Sequence, residues 1–177
     1  MNGFRLVGED EVYDGHAMRV VVGTFTDPQG RSFTRDIVRH PGAVAVLPLH
    51  DDGTVTLVRQ FRAPIDGPLL EIPAGIRDVD DEPREETARR ELAEEAGLEA
   101  DRVEHLISFH NAPGLSDEVV HVYLATGLRD CDTDAQGVEE EAMTLERHHL
   151  DDLAAMIADG RLTDAKTVIA VCLTRAR

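Results

Sequence analysis

Apolar and β-branched residues recur in short extended runs through the first forty residues. Three runs, at 4–13, 17–26 and 32–39, are rich in Val, Phe and Thr, and Asp27-Pro28-Gln29-Gly30 is a strong turn signal between the second and third. Extended runs separated by such turns are typical of neighbouring antiparallel strands. The pattern therefore predicts a small antiparallel N-terminal sheet over residues 1–40, as part of the same folding unit as the rest.

The remaining chain, residues 41–177, alternates between predicted strands and helices. Asp51-Asp52-Gly53 separates the first two strands and predicts a hairpin. Two C-terminal segments, 150–157 and 164–173, have helical periodicity, and Gly160 is placed to end the first. The predicted strands span 43–48, 54–61, 69–72, 103–109, 119–124 and 142–147. We expect an α/β fold in which helices cover a mixed sheet.

Residues 83–96 are the clearest helix in the sequence. Pro83 is placed in the first turn, where its missing N–H costs nothing, acidic residues crowd that end, and Gly97 stands where a left-handed cap usually ends a helix. At roughly 100° per residue, Ala88, Leu92 and Ala96 form one narrow apolar stripe. This stripe is the face that we expect the helix to bury.

Glu91 and Glu95 lie beside this stripe rather than opposite it, so we expect both to be half buried. Glu94 projects further round but stays within one turn of Glu91. Carboxylates at this spacing repel one another by roughly 0.2–0.5 kcal/mol per pair even when exposed, and a divalent cation would relieve that repulsion. Oxygen ligands suit magnesium or manganese, which proteins hold with a few carboxylates and substrate phosphates. The alternative is a solvated helix with surface ion pairs, such as Arg90 with Glu94.

Composition and charge narrow the class of partner. A chain of 177 residues is long enough for one well-buried domain. The net charge of −17 argues against nucleic acid or an anionic membrane as a partner, since both require a basic surface. A phosphate-bearing substrate would need bound metal and nearby arginines, which grip phosphate bidentately; Lys166 is the only lysine. Two cysteines far apart in the chain, Cys131 and Cys172, give no indication of a disulfide framework. The sequence has no pattern typical of a signal peptide or a membrane span, so we expect a cytoplasmic protein.

The string Arg90-Glu91-Leu92-Ala93-Glu94-Glu95-Ala96-Gly97-Leu98 resembles the second half of the Nudix box, Arg-Glu-U-x-Glu-Glu-x-Gly-U, in which U is aliphatic. Glu82 precedes Arg90 by eight residues, as the box requires. Gly75 precedes Glu82 with one residue more between them than the usual pattern has. The resemblance implies a Nudix α/β/α sandwich preceded by the extra N-terminal antiparallel sheet.

Two further segments resemble the ADP-ribose pyrophosphatase branch of Nudix hydrolases. One is Val58-Arg59-Gln60-Phe61-Arg62 followed by Leu70-Glu71-Ile72-Pro73-Ala74-Gly75, and the other is Ala112-Pro113-Gly114-Leu115-Ser116-Asp117-Glu118. Pro113 stands sixteen residues beyond Gly97, where that branch has a marker proline. A Pro-Gly turn with a Ser or Asp cap is the structural alternative for the second segment.

The resemblance implies a role for each residue that matches the motif. The backbone carbonyl of Ala74 and the carboxylates of Glu91 and Glu95 would hold metal, with Glu94 assisting and Glu82 supporting the loop or a further ion. Arg90 would orient the carboxylates. Because carboxylates that bind metal are poor proton acceptors, the catalytic base would come from the acidic segment 137–141. Within it Glu140 is favoured, and Glu139 is its closest rival.

Substrate recognition is assigned to residues outside the box. Arg59 or Arg62 would bind phosphate, with Arg62 favoured, although either could be an ordinary surface charge. Thr34-Arg35-Asp36 resembles the family segment that reaches the nucleotide, in some members across a dimer interface. The turn residues Pro113, Gly114 and Ser116 would complete the substrate site.

Taken together, these motifs imply a magnesium-dependent hydrolase that cleaves ADP-ribose to AMP and ribose 5-phosphate. We expect a homodimer, because a sheet of about forty residues needs another surface to cover it. One alternative is hydrolysis of another nucleoside diphosphate sugar, since the box specifies only the diphosphate chemistry. The other is a Nudix-fold binding domain without turnover.

Overall fold

The computed structural model of the protein describes residues 3–79, 81–132 and 142–177. The chain divides into two compact units. Residues 1–42 and 110–119 form the first, here called the N-terminal unit, and residues 43–109 and 120–177 form the second, the main unit. The predicted division at residue 40 stays a prediction. No helix among the described residues is long and apolar enough to cross a membrane.

The N-terminal unit contains the predicted antiparallel sheet. Its strands are β1 (Arg5–Asp14), β2 (Arg19–Thr26) and β3 (Ser32–Arg39), in that spatial order. The predicted turn before β3 is confirmed: the Asp27 carbonyl accepts from Gly30 N at 2.9 Å, and the Asp27 side chain accepts from Arg31 N at 2.8 Å. Gly30 has φ +79°, a left-handed conformation that glycine adopts without strain.

Residues 110–119 add a segment to this sheet that the sequence pattern did not predict. Val38 N donates to the carbonyl of Leu115 at 2.9 Å, and Val38 forms a parallel bridge with Ser116. Arg39 Nη1 donates to Asp117 at 2.9 Å. The loop with the marker proline is therefore attached to the end of β3.

The main unit contains seven strands, three α-helices and a short 3-10 helix (Ala63–Ile65) among its described residues. The strands are β4 (Ala43–Pro48), β5 (Thr54–Arg62), β6 (Gly67–Glu71), β7 (Ala74–Ile76), β8 (Leu98–His110), β9 (Val119–Asp130) and β10 (Thr144–His149), of which β8 and β9 each extend one residue into the N-terminal unit. The helices are α1 (Arg84–Ala96), α2 (Leu150–Ala158) and α3 (Ala165–Arg175).

These strands form two sheets. A four-stranded sheet has the order β7-β4-β9-β8, with β4 parallel to β9 and antiparallel to β7, and a three-stranded antiparallel sheet has the order β10-β5-β6. The predicted mixed sheet is confirmed. At the predicted hairpin the turn forms: Gly53 N donates to His50 O at 2.9 Å, His50 N donates to Thr54 O at 2.8 Å, and Leu49 forms an antiparallel bridge with Val55. Beyond this contact the pairing predicted between β4 and β5 is wrong, since the two strands lie in different sheets. The reason is that β4 pairs on both edges with other strands, β7 and β9.

Side chains that alternate along β4 reach two hydrophobic clusters. Val44 and Val46 pack with the α1 stripe of Ala88, Leu92 and Ala96. On the opposite face, Ala45 and Leu47 join a larger cluster with residues of β5, β9, α2 and α3. Since β4 is buried on both faces, helices cover both sides of the sheet, and the predicted α/β/α sandwich is confirmed.

Helix α1 begins one residue later than predicted. Pro83 is its N-cap, with φ −60° and ψ +136°, so it precedes the first turn rather than lying in it. The Pro83 carbonyl accepts from Glu86 N at 2.9 Å and Thr87 N at 3.0 Å, and so starts the helix. Gly97 ends it with φ +61° and ψ +37°, which confirms the predicted left-handed cap.

Candidate active site

Strand β7 holds the two inner glutamates of α1. Ala74 N donates to Glu95 Oε2 at 2.8 Å, and the Glu91 carboxylate lies against Gly75 so closely that a Cβ on residue 75 would overlap it. Pro73 is attached to the sheet in turn, because its carbonyl accepts from Val46 N at 2.9 Å. The glutamates are 7% and 6% exposed, so they are buried rather than half buried as predicted. The absence of a side chain at Gly75 makes room for a buried carboxylate.

Arg90 lies among the acidic side chains on the outer side of α1. Its Nη1 is 2.9 Å from Glu94 Oε2 and 2.9 Å from Glu91 Oε1, and its Nε is 3.4 Å from Glu82 Oε1. Burial alone would lower the pKa of Arg90, but the hydrogen bond to Glu82 and the charges of Glu91 and Glu94 raise it instead. The predicted pair of Arg90 with Glu94 is confirmed, and Arg90 also contacts one of the two buried glutamates.

The loop between β7 and α1 is the segment with one residue more than the usual box. Asp78 Oδ1 lies 3.4 Å from Arg90 Nη2, and Glu82 N donates to the Val79 carbonyl at 3.4 Å. A hydrogen bond from Thr87, followed by that from Arg90, lowers the pKa of Glu82 despite partial burial. Glu82 therefore lies with Arg90, as the box predicts, in spite of the extra residue.

The chemistry of these donors fits a hard divalent cation. Glu91 and Glu95 bring two buried carboxylates to one three-residue strand, β7, which also carries the predicted carbonyl ligand of Ala74. Within the described ranges, no group of three or more His, Cys, Asp or Glu side chains forms a metal-ligand cluster by itself. Glu139 and Glu140, the predicted sources of the base, fall in residues 133–141, which lie outside the described residues.

The two predicted phosphate-binding arginines of β5 lie in different ion pairs. Arg62 donates from Nε and Nη2 to the Glu71 oxygens at 2.6 and 2.9 Å. Arg59 Nε donates to Glu146 Oε1 at 2.5 Å, and Glu146 Oε2 lies 2.9 Å from His148 Nε2. Both arginines have raised pKa values. Burial lowers the pKa of Arg62, but the Glu71 hydrogen bond together with the charges of Glu71, Glu95 and Asp164 raises it. For Arg59 the Glu146 hydrogen bond is the main cause of the raised pKa.

The other predicted substrate residues come together in the N-terminal unit. They line one pocket of about 460 Å³, whose wall also includes Phe25, Ile37 and His110. The five predicted residues that it brings together are Arg35, Asp36, Pro113, Gly114 and Ser116. Beside them the rings of Phe25 and Phe33 stack at 5.5 Å, and the Arg35 guanidinium lies 4.8 Å from the Phe33 ring centroid.

Sequence reasoning missed Lys166, Asp164 and Thr167 at the start of α3. Lys166 bonds Glu71 and Asp164, and the Thr167 hydroxyl accepts from Ile72 N at 2.8 Å. The available signal was the position of the single lysine next to an Asp-x-x-Thr cap. Without knowledge of which strand α3 packs on, that signal had no partner.

Comparisons with known proteins agree with this geometry. The model of the NUDIX domain matches residues 39–170. The methanol dehydrogenase activator of Bacillus methanolicus is 38% identical over 167 residues, which span 94% of this chain and 90% of that protein. The ADP-ribose pyrophosphatase of Bacillus subtilis (strain 168) is 35% identical over the same shares of the two chains.

A solved structure described as an ADP compounds hydrolase has the same fold. It aligns with a TM-score of 0.85 at 21% identity and covers 99% of this chain and 94% of its own. The buried glutamates on α1 and the matched length together define the class: the chain belongs to the Nudix family of hydrolases.

Proposed function

We propose that this protein hydrolyses the pyrophosphate bond of ADP-ribose, adding one water across the bridge to give AMP and ribose 5-phosphate. The observation that carries the proposal is the pair of buried carboxylates, Glu91 and Glu95, which helix α1 places against the short strand β7. The chain is also 35% identical over 167 residues to an ADP-ribose pyrophosphatase. Carboxylates placed together in this way are the ligands with which proteins hold magnesium beside substrate phosphates.

We assign the metal ligands to the Ala74 carbonyl and the carboxylates of Glu91 and Glu95, with Glu94 and Glu82 in supporting roles. Magnesium, or manganese in its place, would offset diphosphate charge and lower the pKa of a bound water. Arg90 holds Glu91 and Glu94 in position through its 2.9 Å contacts. Glu140, with Glu139 as the alternative, is the proposed base.

We assign substrate binding to two groups of residues. Arg62, and with it Arg59, would bind the diphosphate, because each presents a guanidinium whose orientation is fixed by a carboxylate. The pocket lined by Arg35, Asp36 and the turn after His110 would bind the nucleoside, since it combines an aromatic wall with both charge types.

A homodimer is the assembly we propose. Every residue of β1 is exposed, and β1 is an edge strand of its sheet. Five large apolar side chains in and next to β1 are exposed, namely Phe4, Leu6, Val7, Val12 and Tyr13. Apolar groups and strand edges presented in this way are usually covered by another surface. The cytoplasmic location stays a prediction.

A substrate screen tests the proposed activity. Phosphate release would be measured with a coupled phosphatase over ADP-ribose, other sugar nucleotides, dinucleotides and oxidised nucleotides, with magnesium present. We expect the highest kcat/KM for ADP-ribose. A higher kcat/KM for another nucleoside diphosphate sugar would show that this compound, rather than ADP-ribose, is the substrate. No turnover of any compound would favour a binding domain.

Charge-removing variants then test the assigned roles. Glu95→Gln should abolish turnover and leave the circular dichroism spectrum unchanged, because the amide oxygen can still accept from Ala74 N. Glu140→Gln should lower kcat by about 10² to 10⁴ with little change in KM. Full activity of Glu95→Gln would refute the metal assignment. Loss of activity in Glu139→Gln, with Glu140→Gln active, would assign the catalytic base to Glu139.

A further inference from the structure

Lys166 lies at a buried junction between α3 and the end of β6. Its side chain is 15% exposed, and Nζ donates to Glu71 Oε2 and to Asp164 Oδ1, the latter at 2.9 Å. An ammonium group offers three N–H donors at one compact point, so it can bridge two carboxylates. The only lysine in the sequence therefore ties the two carboxylates together.

Glu71 transmits this contact to Arg62. Its carboxylate is 1% exposed and accepts two hydrogen bonds from Arg62, from Nε at 2.6 Å and from Nη2 at 2.9 Å. Burial would raise the pKa of Glu71, but the bonds from Arg62 and the charge of Lys166 lower it, so the group is ionised at neutral pH. A bidentate pair of this kind sets the plane of the guanidinium.

Arg62 keeps part of its side chain outside this buried pair. Its side chain is 37% exposed, and its Nη1 amino group takes no part in the bidentate pair with Glu71. The negative charges of Glu95 and Asp164 also act on Arg62. The Nε and Nη2 edge of the guanidinium is thus fixed by Glu71, and the charge of Glu95, a proposed metal ligand, acts on the same group. The Nη1 edge can bind an oxyanion.

Stability alone does not account for the four charges of Arg62, Glu71, Asp164 and Lys166. Taking ions out of water costs several kcal/mol each, and replacing a buried ion pair with well-packed apolar residues is often neutral or stabilising. Apolar residues cannot set the direction of a guanidinium, whereas this cluster does. The geometry of the cluster is suited to fixing the orientation of the Arg62 guanidinium before a charged ligand binds.

We propose that Lys166 is a positioning residue that fixes the guanidinium of Arg62, through Glu71, for the diphosphate of the substrate. This inference rests on the proposed function, in which Arg62 binds a substrate phosphate. Without Lys166, the carboxylates of Glu71 and Asp164 would face one guanidinium, and Glu71 Oε2 would lose one of its two donors and keep only Arg62 Nη2. Substrate binding should then weaken, while turnover of bound substrate changes little.

Steady-state kinetics of four variants and one control variant test this. We expect Lys166→Met to raise KM for ADP-ribose about tenfold with kcat within about threefold of wild type, and Lys166→Arg to recover much of the loss. Arg62→Gln should raise KM at least as much, and adding Lys166→Met to it should raise KM no further, because the two residues act as a unit. Arg161→Met, which removes an exposed cation before α3, is the matched control and should leave KM unchanged.

A readout without activity separates this inference from the proposed function. The NMR signal of the Arg62 Nε–H, assigned by its loss in Arg62→Gln, should be protected from solvent exchange at pH 7 in wild type and Lys166→Arg, and lost in Lys166→Met. A signal or a KM unchanged by Lys166→Met would overturn the inference. If wild type hydrolyses no nucleoside diphosphate compound, the proposed function fails, and the Arg62 signal alone decides whether Lys166 orients Arg62.

Discussion

At the scale of single residues, Gly75 is constrained by the Glu91 carboxylate that lies against it. Adding a Cβ at Gly75 forces the Glu91 carboxylate to move, because the new atom would overlap it. Displacement of a catalytic group by about 1 Å can lower the rate by about 10²-fold. We therefore expect Gly75→Ala to lower kcat by about that factor, as measured with ADP-ribose at saturating magnesium.

The control for that substitution is Gly67→Ala in β6, where the nearest atom to the added Cβ is the Ile65 carbonyl oxygen at an ordinary 3.7 Å. It should keep wild-type activity. Equal loss in both variants would mean that an added methyl in either strand lowers activity, and the specific role of Gly75 would be wrong.

The ion pairs of Glu71 predict a pH-dependent stability. Its folded pKa lies below the ordinary 4.5, so the stabilisation is fully present above the unfolded pKa and is lost as pH falls through the folded value. Glu71→Gln should lower the free energy of unfolding by about 3 kcal/mol at pH 7. This difference should shrink progressively below pH 4.5 in urea titrations.

Glu99→Gln provides the comparison, because Glu99 is exposed and its contact with Arg129 is 3.8 Å long. Its effect on unfolding should stay within about 0.5 kcal/mol at every pH. A Glu71→Gln effect that did not change with pH would show that loss of packing, rather than loss of charge, destabilises that variant.

At the scale of elements, the start of α3 holds the segment that leads from β6 to β7. The buried Thr167 hydroxyl donates to Asp164 at 2.5 Å and accepts from Ile72 N at 2.8 Å. Thr167→Val keeps the shape of the side chain but leaves the Ile72 N–H without its hydrogen-bond partner. We expect it to lower the free energy of unfolding by about 2 kcal/mol. Thermal or urea unfolding would measure it.

Helix α3 also supplies the matched control for this substitution. The Thr174 hydroxyl is buried and makes no hydrogen bond to any residue of the described ranges. Thr174→Val should therefore be neutral or slightly stabilising. If both variants lost the same stability, the Ile72 contact would not be what stabilises the start of α3.

Elements were predicted best where the signal is local. The stripe of Ala88, Leu92 and Ala96 and the cap at Gly97 predicted α1 to within one residue, because both depend on neighbours in the chain. Strand β7 was missed because Pro73 and Gly75 are poor strand formers and its three residues depend on pairing with β4. The failed pairing of β4 with β5 across Asp51-Asp52-Gly53 has the same cause, since distant strands compete for the edges of β4.

The residues of the candidate site also divide into those with a local sequence signal and those whose contacts depend on the packing of distant elements. Glu91, Glu94 and Glu95 were predicted from helical spacing, and the pocket residues of the N-terminal unit from motif resemblance. Lys166 lies 95 positions from Glu71, so its contact depends on which strand α3 packs against. Neither periodicity nor a short motif contains that information.

At the scale of the whole molecule, the exposed apolar side chains of β1 predict self-association. Light scattering at micromolar concentration should give twice the chain mass of 19.5 kDa. Val12, which is 64% exposed, is the residue to change, because an aspartate there would be buried without a partner in any interface that covers β1. Val12→Asp should give a monomer with an unchanged circular dichroism spectrum. A wild-type mass of one chain would rule out the dimer.

The parallel pairing of β4 with β9 also affects how the chain is made. It joins residues 43–48 to residues 120–125, so residues 49–119 separate the two partners along the chain. Such distant pairings form slowly, because a long loop must close before any contact is gained. A nascent chain on the ribosome that ends before residue 120 therefore carries an apolar β4 without its central partner, and this is the state in which aggregation competes with folding.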